Sequence, residues 1–346
     1  MIPVFDGHND TLLALNRHPD RHFFERNREG HLDFPRALEG GLAGGFFAIF
    51  APTDAPLREE QVVTEKGYET PLPDPLDPAT AMTHTMAMAA NLFRLEKAAG
   101  GRFRVVRTAR EIRECMAAPA IAAVMHFEGA EAIGTDLSAL EVFHQAGLRS
   151  LGLVWSRPNA FAAGVPFSFP SSPDLGPGLT AAGRELVVAC NELRIMIDLS
   201  HLNERGFWDV AELSRAPLVA THSNAHALCP TSRNLTDAQL EAVRDSDGMV
   251  GLNFAVQFLR PDGRTDPDTP LDTMVRHIDH LAETAGIDHV GLGSDFDGAT
   301  IPVALGDVTG LPRLIDALGT SGYGEEDLNK LAHGNWIRVL EATWGE

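Results

Sequence analysis

A handful of side chains among 346 residues have the chemistry to hold and use a divalent cation. The chain opens MIPVFDGHND, where His8 and Asp10 follow the apolar pair Val4 and Phe5. Residues i and i+2 of an extended segment point to one side. An imidazole and a carboxylate at that spacing can address the same ion, a ligand pair that borderline cations accept. Two ligands do not make a site. Farther along, HFEG supplies Glu128, DLSH supplies His201, THSNAH supplies His222, and GSDFDG supplies Asp295 and Asp297. Three histidines with two or three carboxylates exceed the needs of one catalytic zinc, which takes three protein ligands and a water. Two cations bridged by a carboxylate suit the count better. Such pairs, about 3.5–4 Å apart, share a hydroxide and polarise a carbonyl or phosphoryl oxygen. Asp295 is then left to handle protons as general base and acid. There is no GxSxG elbow, and no cysteine sits in a catalytic setting to compete.

These residues need a frame that brings distant segments together. Eight apolar runs of strand length occur, at 3–6, 42–51, 120–128, 148–155, 193–200, 216–222, 248–254 and 289–295. Helical patterns lie between most of them, at 80–99, 136–146, 179–192, 203–214, 236–245 and 271–285, with another expected over 325–343. Thr236 and Gln239 have capping-box spacing, and Pro270 precedes a helical run. The connection 11–41 is less regular and is read as a helix followed by a loop. Near-continuous apolar strands imply burial on both faces, as in a parallel sheet. Eight strand–helix units point to an α/β fold, a (β/α)8 TIM barrel formed as one domain over 1–346. A doubly wound open sheet is the rival, but no glycine-rich phosphate fingerprint follows the first strand. Every candidate ligand sits at the C-terminal end of a strand, and in a barrel those ends converge on one mouth. The long connections 52–78 and 156–178, both rich in proline, follow strands and are expected to shape a pocket on that face.

Composition narrows the function classes. The formal charge of -20 opposes nucleic-acid binding, which needs a basic footprint, and an anionic membrane surface. No apolar run approaches the roughly 18–20 residues of a membrane span. No basic-then-apolar leader and no hydrophobic C-terminal tail is seen. Cys115, Cys190 and Cys229 are far apart and form no CxxC pattern or disulfide framework. A cytoplasmic protein without nucleic-acid or membrane partners is the expectation.

The stretches FDGHND, HFEGAEAI, MIDLSH, ATHSNAHALCPTSRNLTD and HVGLGSDFDG resemble the membrane dipeptidase family, also called renal dipeptidase or peptidase family M19. The likeness runs from about residue 4 to the last helix and includes GLTAAGRELVVACNELRIMIDLSH. It implies that the TIM barrel is a catalytic domain of the metal-dependent hydrolase type, a metalloprotease of the amidohydrolase type with two Zn2+ per chain, cleaving dipeptides. Mn2+ and Co2+ are also compatible with this ligand set. By resemblance, His8 and Asp10 bind the first zinc, Glu128 bridges, His201 and His222 bind the second, and Asp295 is the acid–base. Arg233, in TSRNLTD, resembles the arginine that grips the substrate's terminal carboxylate, a role that suits a planar bidentate fork. A homodimer is also a family expectation.

The chain departs from the mammalian pattern at Trp155 in GLVWSRPN, where mammalian members carry a histidine thought to contact the reacting carbonyl oxygen. Tryptophan offers one N–H and no titratable nitrogen, so Trp155 either narrows the substrate pocket or packs as a barrel-end aromatic. His126 is read as buried one layer below Glu128, and His226 and Asp297 as supporting residues. The implied substrates are dipeptides with free ends, L-Xaa-L-Xaa and L-Xaa-D-Xaa. The alternatives are another binuclear hydrolase acting on a lactone, cyclic amide or phosphoester, and a non-catalytic metal-binding protein.

Overall fold

The computed structural model describes residues 1–53, 62–65 and 67–345. Eight parallel strands form the frame: β1 (Val4–Asn9), β2 (Leu42–Phe50), β3 (Ile121–Glu128), β4 (Leu148–Gly152), β5 (Met196–Asp198), β6 (Val219–Ala220), β7 (Met249–Asn253) and β8 (Val290–Gly293). Each pairs in parallel with the next in chain order. The seam between β8 and β1 is drawn together just beyond the strands by a parallel bridge between Asn9 and Phe296. There the Asp295 N–H donates to the His8 carbonyl at 3.0 Å and the Asp10 N–H to the Phe296 carbonyl at 2.8 Å. The barrel expected from the eight apolar runs is therefore present, each run holding one strand. The seam bonds are made by the candidate ligands' own backbone.

The connections are more elaborate than the sequence suggests. Segment 11–41 carries two helices, Thr11–Arg17 and Phe34–Glu39, the second capped by Asp33, whose side chain accepts from the Arg36 N–H. Helices Ala109–Met116 and Leu311–Ser321 and the short strand Phe103–Val105 also lay outside the expected elements. The first of these helices is half charged, which masks its buried face of Ala109, Ile112 and Cys115. Leu311, Leu314, Ile315 and Leu318, all buried, do follow helical spacing. The long terminal helix is interrupted: Glu325–Asn329 and Asn335–Trp344 flank a π turn at Lys330–Gly334. In the two proline-rich connections, Val62–Thr64, Gly67–Thr70 and Phe167–Phe169 form a small antiparallel sheet. Residues 54–61 and 66 of the expected loop 52–78 lie outside the described residues.

Inside the barrel, polarity changes along the axis. Phe5, Phe46, Val124, Met196, Val219 and Met249 pack with Trp336 in one fully buried cluster. The Trp336 indole fits because β1, β7 and β8 carry glycine beside it. A Cβ on Gly7, Gly251 or Gly291 would lie 2.5, 3.0 or 2.9 Å from its ring. Its N–H is satisfied by the Leu292 carbonyl at 3.0 Å. Above this apolar floor, alternation along β3 turns His126 and then Glu128 toward the same side as Val124. Trp336→Ala should empty the floor and cost about 3–5 kcal/mol, the range for deleting a buried large aromatic. Chemical denaturation that shows a loss below about 1 kcal/mol would show that the plug is dispensable.

Candidate metal centre

The strand ends bring the expected ligands together. His8 and Asp10 come from the end of β1, and a register irregularity between Asp6 and Asn9 encloses His8. The His8 Nε2 lies 3.4 Å from Asp10 Oδ2 and 3.6 Å from Glu128 Oε2. Glu128 ends β3, and its other oxygen faces His201 Nε2 at 3.0 Å and His222 Nε2 at 3.7 Å. The two imidazole nitrogens, His201 and His222, are 3.2 Å apart. Glu128 thus stands between two groups of donors, His8 with Asp10 on one side and the two later histidines on the other. His8, Glu128 and His222 offer ligand atoms within 4.8 Å of one another, and so do His8, Asp10 and Asp295. His201 and Asp295 hold left-handed backbone, with φ of 67° and 58°. Non-glycine residues in that region are strained and concentrate at functional sites.

The electrostatics call for a cation. Burial pushes the Glu128 carboxyl well above its ordinary range, and the Asp10 and Asp295 charges add to that. Burial also raises Asp295, whose Oδ2 accepts from the Asn253 amide at 2.9 Å. His201 and His222 are driven well below the usual imidazole value by burial and by the positive charge of Arg233 and His8. They are neutral, the form that ligates a metal. His8 behaves oppositely: burial lowers it, but Glu128, Asp10 and Asp295 carry it up to about 10. Carboxylates this close demand positive charge. Both His8 ring nitrogens and Asp10 Oδ1 are buried without a hydrogen-bond partner, which is costly unless something else binds them. The donor set, three imidazoles and oxygen ligands, fits divalent zinc-like ions.

Arg233 is buried beside the centre. Its guanidinium donates to Ser223 Oγ at 2.9 Å and to the His222 carbonyl at 3.1 Å, and lies 5.9 Å from the Phe258 ring. Its Nε has no partner. Burial lowers it to about 10 despite the neighbouring carboxylates. A cavity of about 650 Å³ opens over the centre, lined by Asp10, Glu128, Trp155, His201, Phe258 and Asp295 among others. Tyr68, Thr70 and Phe167, from the two long connections, line the same cavity. Trp155 is half-buried, with its ring 5.0 Å from Phe50, 5.6 Å from Phe167 and 5.8 Å from His201.

Residues 1–344 match the family described as membrane dipeptidase, peptidase family M19. The chain belongs to peptidase family M19. Its similarity to a Rhodobacter sphaeroides metallo peptidase is 55% identity over 99% of each chain, with a TM-score of 0.94. That protein's crystal structure holds a phosphinate mimic of the dipeptide L-Ala-D-Ala. A second M19 metallo peptidase, dipeptidase AC, is 56% identical over 100% of this chain and 99% of its own, with a TM-score of 0.96. An uncharacterised Klebsiella pneumoniae protein encoded in the pqqA 5′ region is 52% identical over 270 residues, 78% of this chain and 98% of its own. This M19 chain is thus a metallo-dipeptidase of TIM-barrel fold. No helix among the described residues is long and apolar enough to cross a membrane.

The remaining candidates fall into place around the M19 centre. His126 lies beneath it, buried, its Nδ1 2.8 Å from Ser150 Oγ and its ring edge-on to His8. Burial lowers it to about 4. Asp297 bonds the connection after β1: it accepts from Arg21 at 2.8 Å and from the His31 N–H at 2.6 Å. His226 faces the Ser171 carbonyl at 2.9 Å. Sequence reasoning missed Asn253, although it is a polar residue at the end of β7 and obeys the same strand-end rule as the others. It also missed Ser156, whose hydroxyl is 2.8 Å from His201 Nδ1. Nothing in the spacing of a loop serine marks such a contact.

A cation that satisfies orphaned native groups stabilises the fold by mass action. Chelator-treated protein should therefore melt lower than metal-loaded protein. A hundredfold excess of metal over its Kd should restore about 2.7 kcal/mol. Identical melting curves for the two forms, recorded by differential scanning calorimetry, would contradict the fit.

Proposed function

We propose that this M19 chain is a binuclear zinc dipeptidase acting on dipeptides with both termini free, of L,L and L,D configuration. The observation that carries this reading is the pairing of a carboxylate-rich cation site with a buried guanidinium that bonds the His222 carbonyl and has no carboxylate partner among the described residues. His8 and Asp10 would hold one ion and His201 and His222 the other, with Glu128 placed between the two donor groups to serve both. Bound there, such ions would supply Lewis-acid chemistry, lowering the pKa of water and polarising a carbonyl oxygen. Asp295 accepts the attacking water's proton and returns it to the amine nitrogen as the C–N bond breaks. Its Asn253 contact fixes the carboxylate's orientation. Arg233 receives the substrate's terminal carboxylate through charge-assisted hydrogen bonds. The substrate's ammonium sits beside the acidic groups of the centre. Trp155, with Phe50 and Phe167, forms an aromatic wall that limits substrate size. Lactone, cyclic amide and phosphoester substrates lack the terminal carboxylate that would occupy Arg233.

The deciding measurement is elemental analysis of the purified chain together with turnover of L-Ala-D-Ala, L-Ala-L-Ala and N-acetyl-L-Ala-D-Ala. Two zinc ions per chain and cleavage of only the unblocked dipeptides are expected. Equal cleavage of the blocked substrate would refute the free-amine requirement. Asp295→Asn should keep both metals and lose about 10²–10⁴-fold in turnover, the range for a general acid–base. Arg233→Met should weaken kcat/KM for free dipeptides while leaving C-terminally amidated ones untouched. If both substrate classes fall together, Arg233 does not read the carboxylate.

A further inference from the structure

Beneath the metal centre, the barrel holds a carboxylate that the reaction does not call on. Asp198 is the last residue of β5 and is buried. Its Oδ1 accepts two backbone N–H groups, from Ser200 at 3.0 Å and Thr221 at 2.8 Å. Its Oδ2 lies 2.6 Å from the Thr221 hydroxyl, the length of a charge-assisted O–H···O⁻ bond. His126 Nε2 is 3.6 Å from the same oxygen, beyond hydrogen-bond reach. On its other side, the Thr221 hydroxyl lies 2.8 Å from His222 Nδ1. Ser200 Oγ, at 3.5 Å from that hydroxyl, is the weaker neighbour, and it already accepts the His222 N–H at 3.0 Å.

A hydroxyl has one proton. Asp198 takes it, so the Thr221 oxygen must accept from His222. We propose that Asp198 is a positioning residue: acting through Thr221, it fixes His222 as the Nδ1–H tautomer and keeps the Nε2 lone pair aimed at the metal centre. The geometry stands without a metal. The consequence for metal affinity rests on the reading of His222 as a ligand. The three histidines differ in this respect. His201 Nδ1 meets a serine hydroxyl, and His8 Nδ1 has no partner. Among the described residues, only His222 of the three has its Nδ1 linked to a carboxylate.

The arrangement makes Asp198→Asn a reversing substitution. Two backbone N–H groups converge on the Oδ1 position, so the amide oxygen must stay there. The amide nitrogen then occupies the Oδ2 position and donates to Thr221. The Thr221 hydroxyl turns its proton toward His222 Nδ1, and the imidazole must carry its own proton on Nε2, facing the centre.

The test is long-range ¹H–¹⁵N spectroscopy of the metal-free full chain with ¹⁵N-labelled histidine. The His222 signals are assigned by their loss in His222→Gln. In the unsubstituted chain His222 should show a protonated Nδ1 and an unprotonated Nε2. Asp198→Asn should reverse them, Thr221→Val should abolish the preference, and Thr221→Ser should restore it. An Nε2–H tautomer in the unsubstituted chain overturns the proposal, and that spectrum needs no variant to fold. So does an unchanged tautomer in folded Asp198→Asn. Metal retained against graded chelator gives the second readout. Loss of outer hydrogen-bond partners typically weakens metal binding 10–100-fold, and Asp198→Asn should do so for one equivalent. Tautomer reversal supports the relay; if metal retention is then unchanged, the failure belongs to His222 as a ligand.

Discussion

Packing Asp10, Glu128 and Asp295 against one another at the floor of the cavity, with Asp10 and Glu128 almost wholly buried, is the constraint on which this molecule is organised. Like charges that close cannot all remain ionised unless a cation stands among them. In this chain the strain is visible in two ways: Glu128 and Asp295 are pushed upward by burial, while His8 is pulled up by the same three carboxylates. The opposite behaviour of His201 and His222, both held neutral, divides the site into an anionic half and an imidazole half with Glu128 between them. Everything beneath and around the centre serves to keep those groups close without letting them relax apart.

The barrel supplies that restraint in layers. At the floor, Trp336 fills space left by three glycines and excludes water from below. Above it lies a polar layer in which buried groups are tied to backbone: Asp6 accepts from the Ser294 N–H at 2.7 Å and from its hydroxyl at 2.8 Å, and Asp198 accepts from Ser200 and Thr221. Asp6 rises to about 6 through burial even so. The bonds from Ser294 to Asp6 and from Thr221 to Asp198 run between the ends of neighbouring strands and fix them against one another. The metal layer comes next, and the cavity wall, built partly from Tyr68, Thr70 and Phe167, lies above that. Groups carried on strands are held more exactly than groups on loops. The division matches the placement of the candidate ligands on strand ends and of the cavity wall partly on long connections.

Much of this was legible in the sequence for a physical reason. Parallel strands buried on both faces must be apolar for their whole length, so a polar residue at a strand's end stands out. His8, Glu128, His201, His222 and Asp295 are conspicuous in that way, and the barrel follows from counting the runs. What escaped was information carried by pairing rather than pattern. Phe103–Val105 is too short to show alternation, and the sheet joining 67–70 to 167–169 couples residues about a hundred positions apart. The distinction between His126 and His222 is likewise invisible in composition, since both are histidines in apolar runs. It arises because one sits two residues below the end of β3 and the other just past the end of β6.

The polar layer also bears on how such a site tolerates change. A ligand imidazole has two nitrogens, and a metal can use only one that lacks a proton. Along the barrel axis, the proton must therefore be held on the side away from the centre. Asp198 and Thr221 do this from below for His222, and Ser156 contacts His201 Nδ1 from the connection after β4. Substitutions in the aromatic wall alter the cavity without touching these contacts, because Trp155 and Phe167 meet His201 through ring faces and edges rather than through its Nδ1. Substitutions in the layer beneath reach the chemistry even though they never touch substrate. On the proposed reading, specificity and metal binding would thus be set on opposite sides of the same ring of candidate ligands, so that one could vary while the other stays fixed.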